Sequence, residues 1–83
     1  MQMESSLNKV KISIIEDSEI HSEWLRAELE NDQLFEVVSQ DHLGRQGIIS
    51  VKERSPDVAL LDFQLEDLTG QEVAKELMLT MKK

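Results

Sequence analysis

Apolar and polar positions along the chain follow two alternating periods. Val10 to Ile15 is almost wholly apolar and largely β-branched, broken by Lys11 and Ser13, and reads as a strand buried on at least one face. From Glu19 to about Asn31, Ile20, Trp24, Leu25, Ala27 and Leu29 form a broad apolar sector against charged positions. That pattern predicts an amphipathic helix, with Asp17 or Ser18 available to cap it. Leu34 to Ser39, carrying Phe35, Val37 and Val38 after the polar turn Asn31-Asp32-Gln33, predicts a second short strand. Asp41 to Arg54 predicts a weaker helix, with Leu43, Ile48 and Val51 at helical spacing. Gly44 and Gly47 inside it each cost about 1 kcal/mol relative to alanine. Pro56 stops this helix, and Asp57-Val58-Ala59-Leu60-Leu61-Asp62 predicts a third strand. Thr69-Gly70-Gln71-Glu72 fits a capping box and starts a third helix with Val73, Leu77 and Met81 facing inward.

Strand and helix thus alternate three times, with crossovers long enough for parallel pairing. The expected architecture is α/β: an open parallel sheet with helices on both faces. It occupies residues 9–83 as one domain, behind a loose tail at 1–8. Ligands in such sheets sit beyond the carboxyl ends of the strands. There the first strand stops at Glu16-Asp17 and the third at Asp62. Two adjacent strands ending this way bring three carboxylates together, an oxygen-only site for a divalent cation with one carboxylate left to react.

Composition narrows the field. Seventeen acidic and nine basic residues in a chain of 83 give a net charge of −8, which repels phosphate backbones, so this segment by itself is not expected to bind nucleic acid. Without cysteine there is no disulfide framework and no thiolate metal site. No apolar run approaches the roughly 20 residues of a membrane span, and the polar start lacks a signal-peptide core. A cytoplasmic location without membrane association is the expectation.

Three stretches then carry a family resemblance: Ile14-Ile15-Glu16-Asp17, Ser55-Pro56-Asp57-Val58-Ala59-Leu60-Leu61-Asp62, and Asp62-Phe63-Gln64-Leu65-Glu66-Asp67-Leu68-Thr69-Gly70. In order and spacing they resemble the receiver domain of two-component response regulators, over about Lys9 to Lys83. The resemblance implies a flavodoxin-like fold in which Asp62 accepts a phosphoryl group from a histidine kinase or phosphotransfer protein in a phosphorelay. It implies Mg²⁺ as cofactor, held by Glu16, Asp17 and Asp62 with the backbone carbonyl of Gln64. The module is then a phosphorylated signal carrier and not an enzyme.

The chain departs from that pattern in two ways. Glu66 stands where the family usually has proline, which leaves the loop after the acceptor more flexible. The sequence also stops after the third of five strand-helix units, so the hydroxyl residue of a fourth strand and the lysine of a fifth are missing. Thr80, Lys82 and Lys83 do not replace them. Strand three becomes an exposed edge, and the expectation is a homo-oligomer formed through it, or a part of a longer protein. The alternative reading is a degenerate interaction or dimerisation module that passes no phosphate. A phosphatase of the haloacid dehalogenase type is disfavoured, because its second aspartate would stand where this chain has Gln64.

Simpler roles remain for individual residues. Asp17 can merely cap the first helix and Glu16 can be a solvated loop acid. Glu66 and Asp67 read as solvated, Asp57 as a turn residue, and His21 and His42 as surface or packed side chains. Gly70 is either an ordinary turn glycine or a position of close backbone approach.

Overall fold

The structure, a computed structural model, describes residues 8–81. The expected tail therefore lies outside the described residues except for Asn8, and so do Lys82 and Lys83. The element order is β1 (Val10–Ile15), α1 (Glu19–Glu30), β2 (Phe35–Asp41), α2 (Gly44–Arg54), β3 (Val58–Leu61) and α3 (Gly70–Met81). The strands form one parallel sheet in the order β2-β1-β3. The chain thus moves from β1 to β2 in one direction and from β2 across β1 to β3 in the other. With right-handed crossovers, α1 and α2 must lie on opposite faces. α1 rests on β2 and β1, while α3 packs beside α2. This is the three-stranded form of a flavodoxin-like sheet.

The core lies on the α2/α3 face. Ile15, Ile48, Val51, Val73 and Leu77 are buried together there, with Ala59, Leu61, Leu65, Leu68 and Met81 packed around them. The inward positions expected of α3 are therefore the observed ones. Both glycines of α2 have a reason to be there. A Cβ at Gly47 would stand 2.6 Å from Ile15 Cγ1, and one at Gly44 2.8 Å from Val73 Cγ2. The propensity cost inside the helix is offset by close packing on β1 and α3.

Three boundaries or faces differ from the sequence expectation. β2 extends to Asp41 and α2 begins only at Gly44, because Asp41 pairs with Ile15 and its carbonyl accepts the Glu16 N–H at 2.9 Å. The ladder to β1 keeps these residues extended. Asp57 is more than a turn residue: its N–H donates to the Lys11 carbonyl and its carboxylate accepts the Lys11 N–H, both at 2.8 Å. In α1 the broad apolar sector splits. Ser22 is fully buried and Leu25 and Leu29 are half-buried, whereas Ile20 is 85% and Trp24 57% exposed. What anchors the inner stripe is polar, since Gln40 Nε2 of β2 donates to Ser22 Oγ at 2.9 Å and Arg26 donates to Gln40 Oε1 at 3.0 Å.

The two sheet edges are treated differently. On β2, the register shifts between Ile12 and Ser13 so that Val38 is an extra residue, and the Val37 N–H donates to Glu30 Oε2 at 3.1 Å. A bulge and a side chain thus blunt this edge. β3 is the other edge, as expected, and a groove of about 380 Å³ lined by Val58, Ala59, Leu61, Leu77, Met78 and Met81 runs between it and α3.

Candidate functional site

The carboxyl ends of β1 and β3 are held side by side by the ladder, with Ile15 opposite Leu61 and the Asp62 N–H donating to the Ile15 carbonyl at 2.9 Å. Glu16, Asp17 and Asp62 follow directly. The structure therefore brings together the three residues singled out from the sequence, with Gln64 two positions on.

Asp62 is oriented by the backbone. The Gln64 N–H donates to Oδ1 at 3.0 Å and the Asp17 N–H approaches Oδ2 at 3.4 Å. The Gln64 N–H is the main reason the Asp62 carboxyl titrates below its ordinary value. Burial opposes that shift, while hydrogen bonding with the neighbouring Glu16 carboxyl, the Asp17 N–H and the charge of His21 reinforce it. The carboxyl is thus kept in the anionic form a nucleophile needs.

Glu16 is nearly buried and already engaged. Its Oε2 accepts the Ser18 N–H at 3.1 Å, and its Oε1 lies 2.9 Å from His21 Nδ1. His42 Nδ1 donates to the Glu16 backbone carbonyl at 3.0 Å. Both histidines expected to be bystanders therefore touch this acid. The sequence did carry one clue to His21. Ser18 is the N-cap and its Oγ accepts the His21 N–H at 3.2 Å, so His21 occupies the third helical position, whose side chain folds back over the cap and the residues before it. His21 in turn stacks on Trp24, with ring centroids 6.0 Å apart. Asp17 is exposed and its side chain caps nothing; Ser18 does so.

The side chains at the strand ends suit a hard divalent cation, being carboxylates with no sulfur among them. Among the described residues no three His, Cys, Asp or Glu side chains converge on one metal-sized position. That arrangement still fits Mg²⁺, which keeps several waters and takes only one or two carboxylates beside phosphate oxygens. It fits a dedicated all-protein cage poorly.

The segment from Asp62 to Gly70 is closed upon itself. The Gly70 N–H donates to the Phe63 carbonyl at 3.2 Å, and Gln64 bridges to Thr69. A Cβ on Gly70 would stand 2.7 Å from Phe63 Cα and collide with the Phe63 ring, so close backbone approach is what this glycine serves. The expected capping box forms: the Thr69 N–H donates to Glu72 Oε1 at 2.8 Å and the Glu72 N–H to Thr69 Oγ1 at 3.1 Å. Asp67 is not a solvated loop acid. Its Oδ1 accepts the Gly44 N–H at 2.7 Å and its Oδ2 the Arg45 N–H at 3.0 Å, at the start of α2.

Comparison with known proteins agrees with this geometry. The family model for the response regulator receiver domain matches residues 12–82. Protein-glutamate methylesterase/protein-glutamine glutaminase 2 of Carboxydothermus hydrogenoformans is 30% identical over 88% of this chain and 21% of its own length. The nitrate/nitrite response regulator protein homolog of Haemophilus influenzae is 33% identical over 84% of this chain and 34% of its own. Among solved structures, the signal receiver domain of a modulated diguanylate cyclase from Desulfovibrio desulfuricans G20 superposes with a TM-score of 0.78 at 28% identity, covering 86% of this chain and 57% of that one. The response regulator domain of Thermotoga maritima CheB shares the fold, with a TM-score of 0.83 at 22% identity over 87% and 54%. The chain thus spans a fifth to a third of these curated relatives and little more than half of the solved domains. No described helix is long and apolar enough to cross a membrane.

Proposed function

The chain belongs to the response regulator receiver domain family, and from that premise we propose that Asp62 accepts a phosphoryl group from a histidine kinase or phosphotransfer protein in the cytoplasm. The observation that carries this is the placement of Asp62: a strand-terminal carboxyl oriented by the Gln64 N–H and lying beside Asp17, whose N–H approaches its Oδ2, at the ends of β1 and β3. The Asp62 Oδ2, held by the Asp17 N–H only through a long contact, attacks phosphorus, the P–N bond of the donor phosphohistidine breaks, and the leaving imidazole nitrogen takes a proton. Glu16, Asp17, Asp62 and the Gln64 carbonyl would hold Mg²⁺, which when bound would supply the charge that offsets repulsion between two anions. Asp17, exposed and with its carboxylate unengaged among the described residues, is the readiest ligand, whereas Glu16 must give up His21 or Ser18 to contribute both oxygens.

Incubation with Mg²⁺ and acetyl phosphate, followed by intact mass, tests this. One added phosphoryl group is expected, absent in Asp62→Ala. An unmodified parent that remains folded refutes the reading and favours the module that passes no phosphate.

A second property has its own support. With the β2 edge blunted by Glu30 and the Val38 bulge, and β3 left open beside an apolar groove, we propose that copies associate through β3.

A further inference from the structure

Nothing in the sequence between Asp62 and Thr69 replaces the stiffness that a proline at Glu66 would give, yet the segment is well fastened at one additional point. α2 has no cap of its own: Leu43 occupies the N-cap and makes no side-chain hydrogen bond there. Asp67 supplies the cap from 22 or more residues away, holding the Gly44 and Arg45 N–H groups with one oxygen each. Around this junction the fit is tight, since a Cβ on Gly44 would stand 3.2 Å from Leu68 and 2.8 Å from Val73 Cγ2. On the other side of the same segment, three residues before Asp67, the Gln64 N–H rests on Asp62 Oδ1.

We propose that Asp67 is a positioning residue for the phospho-acceptor: by clamping its own loop to the start of α2, it holds Gln64 against Asp62 and does the work of the missing proline. The inference deepens the phospho-acceptor reading and rests on it only for its consequence, since the clamp itself is a property of the loop. A residue that merely capped α2 would stabilise that helix and leave Gln64 alone. A positioning residue affects both ends of the segment. Its loss frees the loop, loosens the Gln64 N–H, and misplaces the Gln64 carbonyl expected to face the cation.

Amide hydrogen exchange in Asp67→Ala and Asp67→Asn separates the two. Exchange at Gln64 and Gly70 is expected to rise about fivefold, in line with the loss of one capping interaction, along with Gly44 and Arg45, while β1 amides keep the parent rate. Glu66→Pro added to Asp67→Ala is expected to return Gln64 and Gly70 toward the parent rate without restoring Gly44 and Arg45. Beryllofluoride affinity in the presence of Mg²⁺ is expected to fall and recover in parallel. Acceleration confined to Gly44 and Arg45 would overturn the proposal, as would failure of the proline to rescue a folded double variant. If the parent itself binds no beryllofluoride, the phospho-acceptor reading fails, and the exchange rates at Gln64 still decide whether Asp67 positions the loop.

Discussion

Among the described residues, the Glu30, Asp62 and Asp67 carboxyls titrate below their ordinary values, each for a local reason. The Val37 N–H and Arg26 act on Glu30, the Gln64 N–H acts on Asp62, and the Arg45 and Gly44 N–H groups act on Asp67. A depressed folded value means that the folded state binds these protons less readily than the unfolded chain. Their stabilisation is therefore full above the unfolded carboxylate range near about pH 4 and is lost as pH falls through the folded values. Thermal unfolding should hold its midpoint from neutrality to about pH 5 and decline below about pH 4. Asp67→Asn should soften that decline; an identical slope in the variant would contradict the assignment. A steric prediction belongs to the same scale. Gly70→Ala forces a Cβ to within 2.7 Å of Phe63 Cα, backbone that cannot swing aside, and should cost about 1–3 kcal/mol in denaturant unfolding. A neutral result would mean that the loop yields easily.

Each helix start depends on a different capping acceptor: Ser18 Oγ for α1, the Asp67 carboxylate for α2, and the Thr69–Glu72 box for α3. Removing the last, in Thr69→Ala, should lower stability by about 1 kcal/mol, and an unchanged melting temperature would count against it. Two of these starts were legible in the sequence, because the cap and the residues it serves are within three positions. The third was not, since Asp67 and Gly44 meet only through packing of α3 on α2. The same division runs through the strands. Val10–Ile15 and Asp57–Asp62 announce themselves as apolar runs, whereas the extension of β2 to Asp41 depends on pairing with Ile15. α1 shows the converse error. Ile20 and Trp24 have the right period for a core face, but the helix turns Ser22, Leu25 and Leu29 inward because Gln40 of β2 holds Ser22. That Glu16, Asp17 and Asp62 lie together at the strand ends was legible from where the apolar runs stop; His21 beside Glu16 was hinted at only by its place three residues after the cap, and the His42 contact needed the folded backbone.

At the scale of the molecule, β1 is buried along its apolar run, with Ile12, Ile14 and Ile15 at most 3% exposed, while other elements keep apolar side chains at the surface. The core sits between the sheet and α2/α3, while Ile20 and Trp24 on α1, Val58 on β3, and Met78 and Leu79 on α3 remain exposed. Sedimentation should show concentration-dependent association, abolished by Val58→Lys, which places a charge on the unblunted edge. A parent that stays monomeric at high concentration would rule out association through β3. The site itself stands apart from that surface, at the carboxyl ends of β1 and β3. The most direct measurement is calorimetric titration of the folded chain with beryllofluoride, a phosphoryl mimic, in the presence of Mg²⁺. One site per chain is expected, lost on chelation and in Asp62→Ala; binding that survives in Asp62→Ala, or no binding to a folded parent, would rule out Asp62 as the phospho-acceptor.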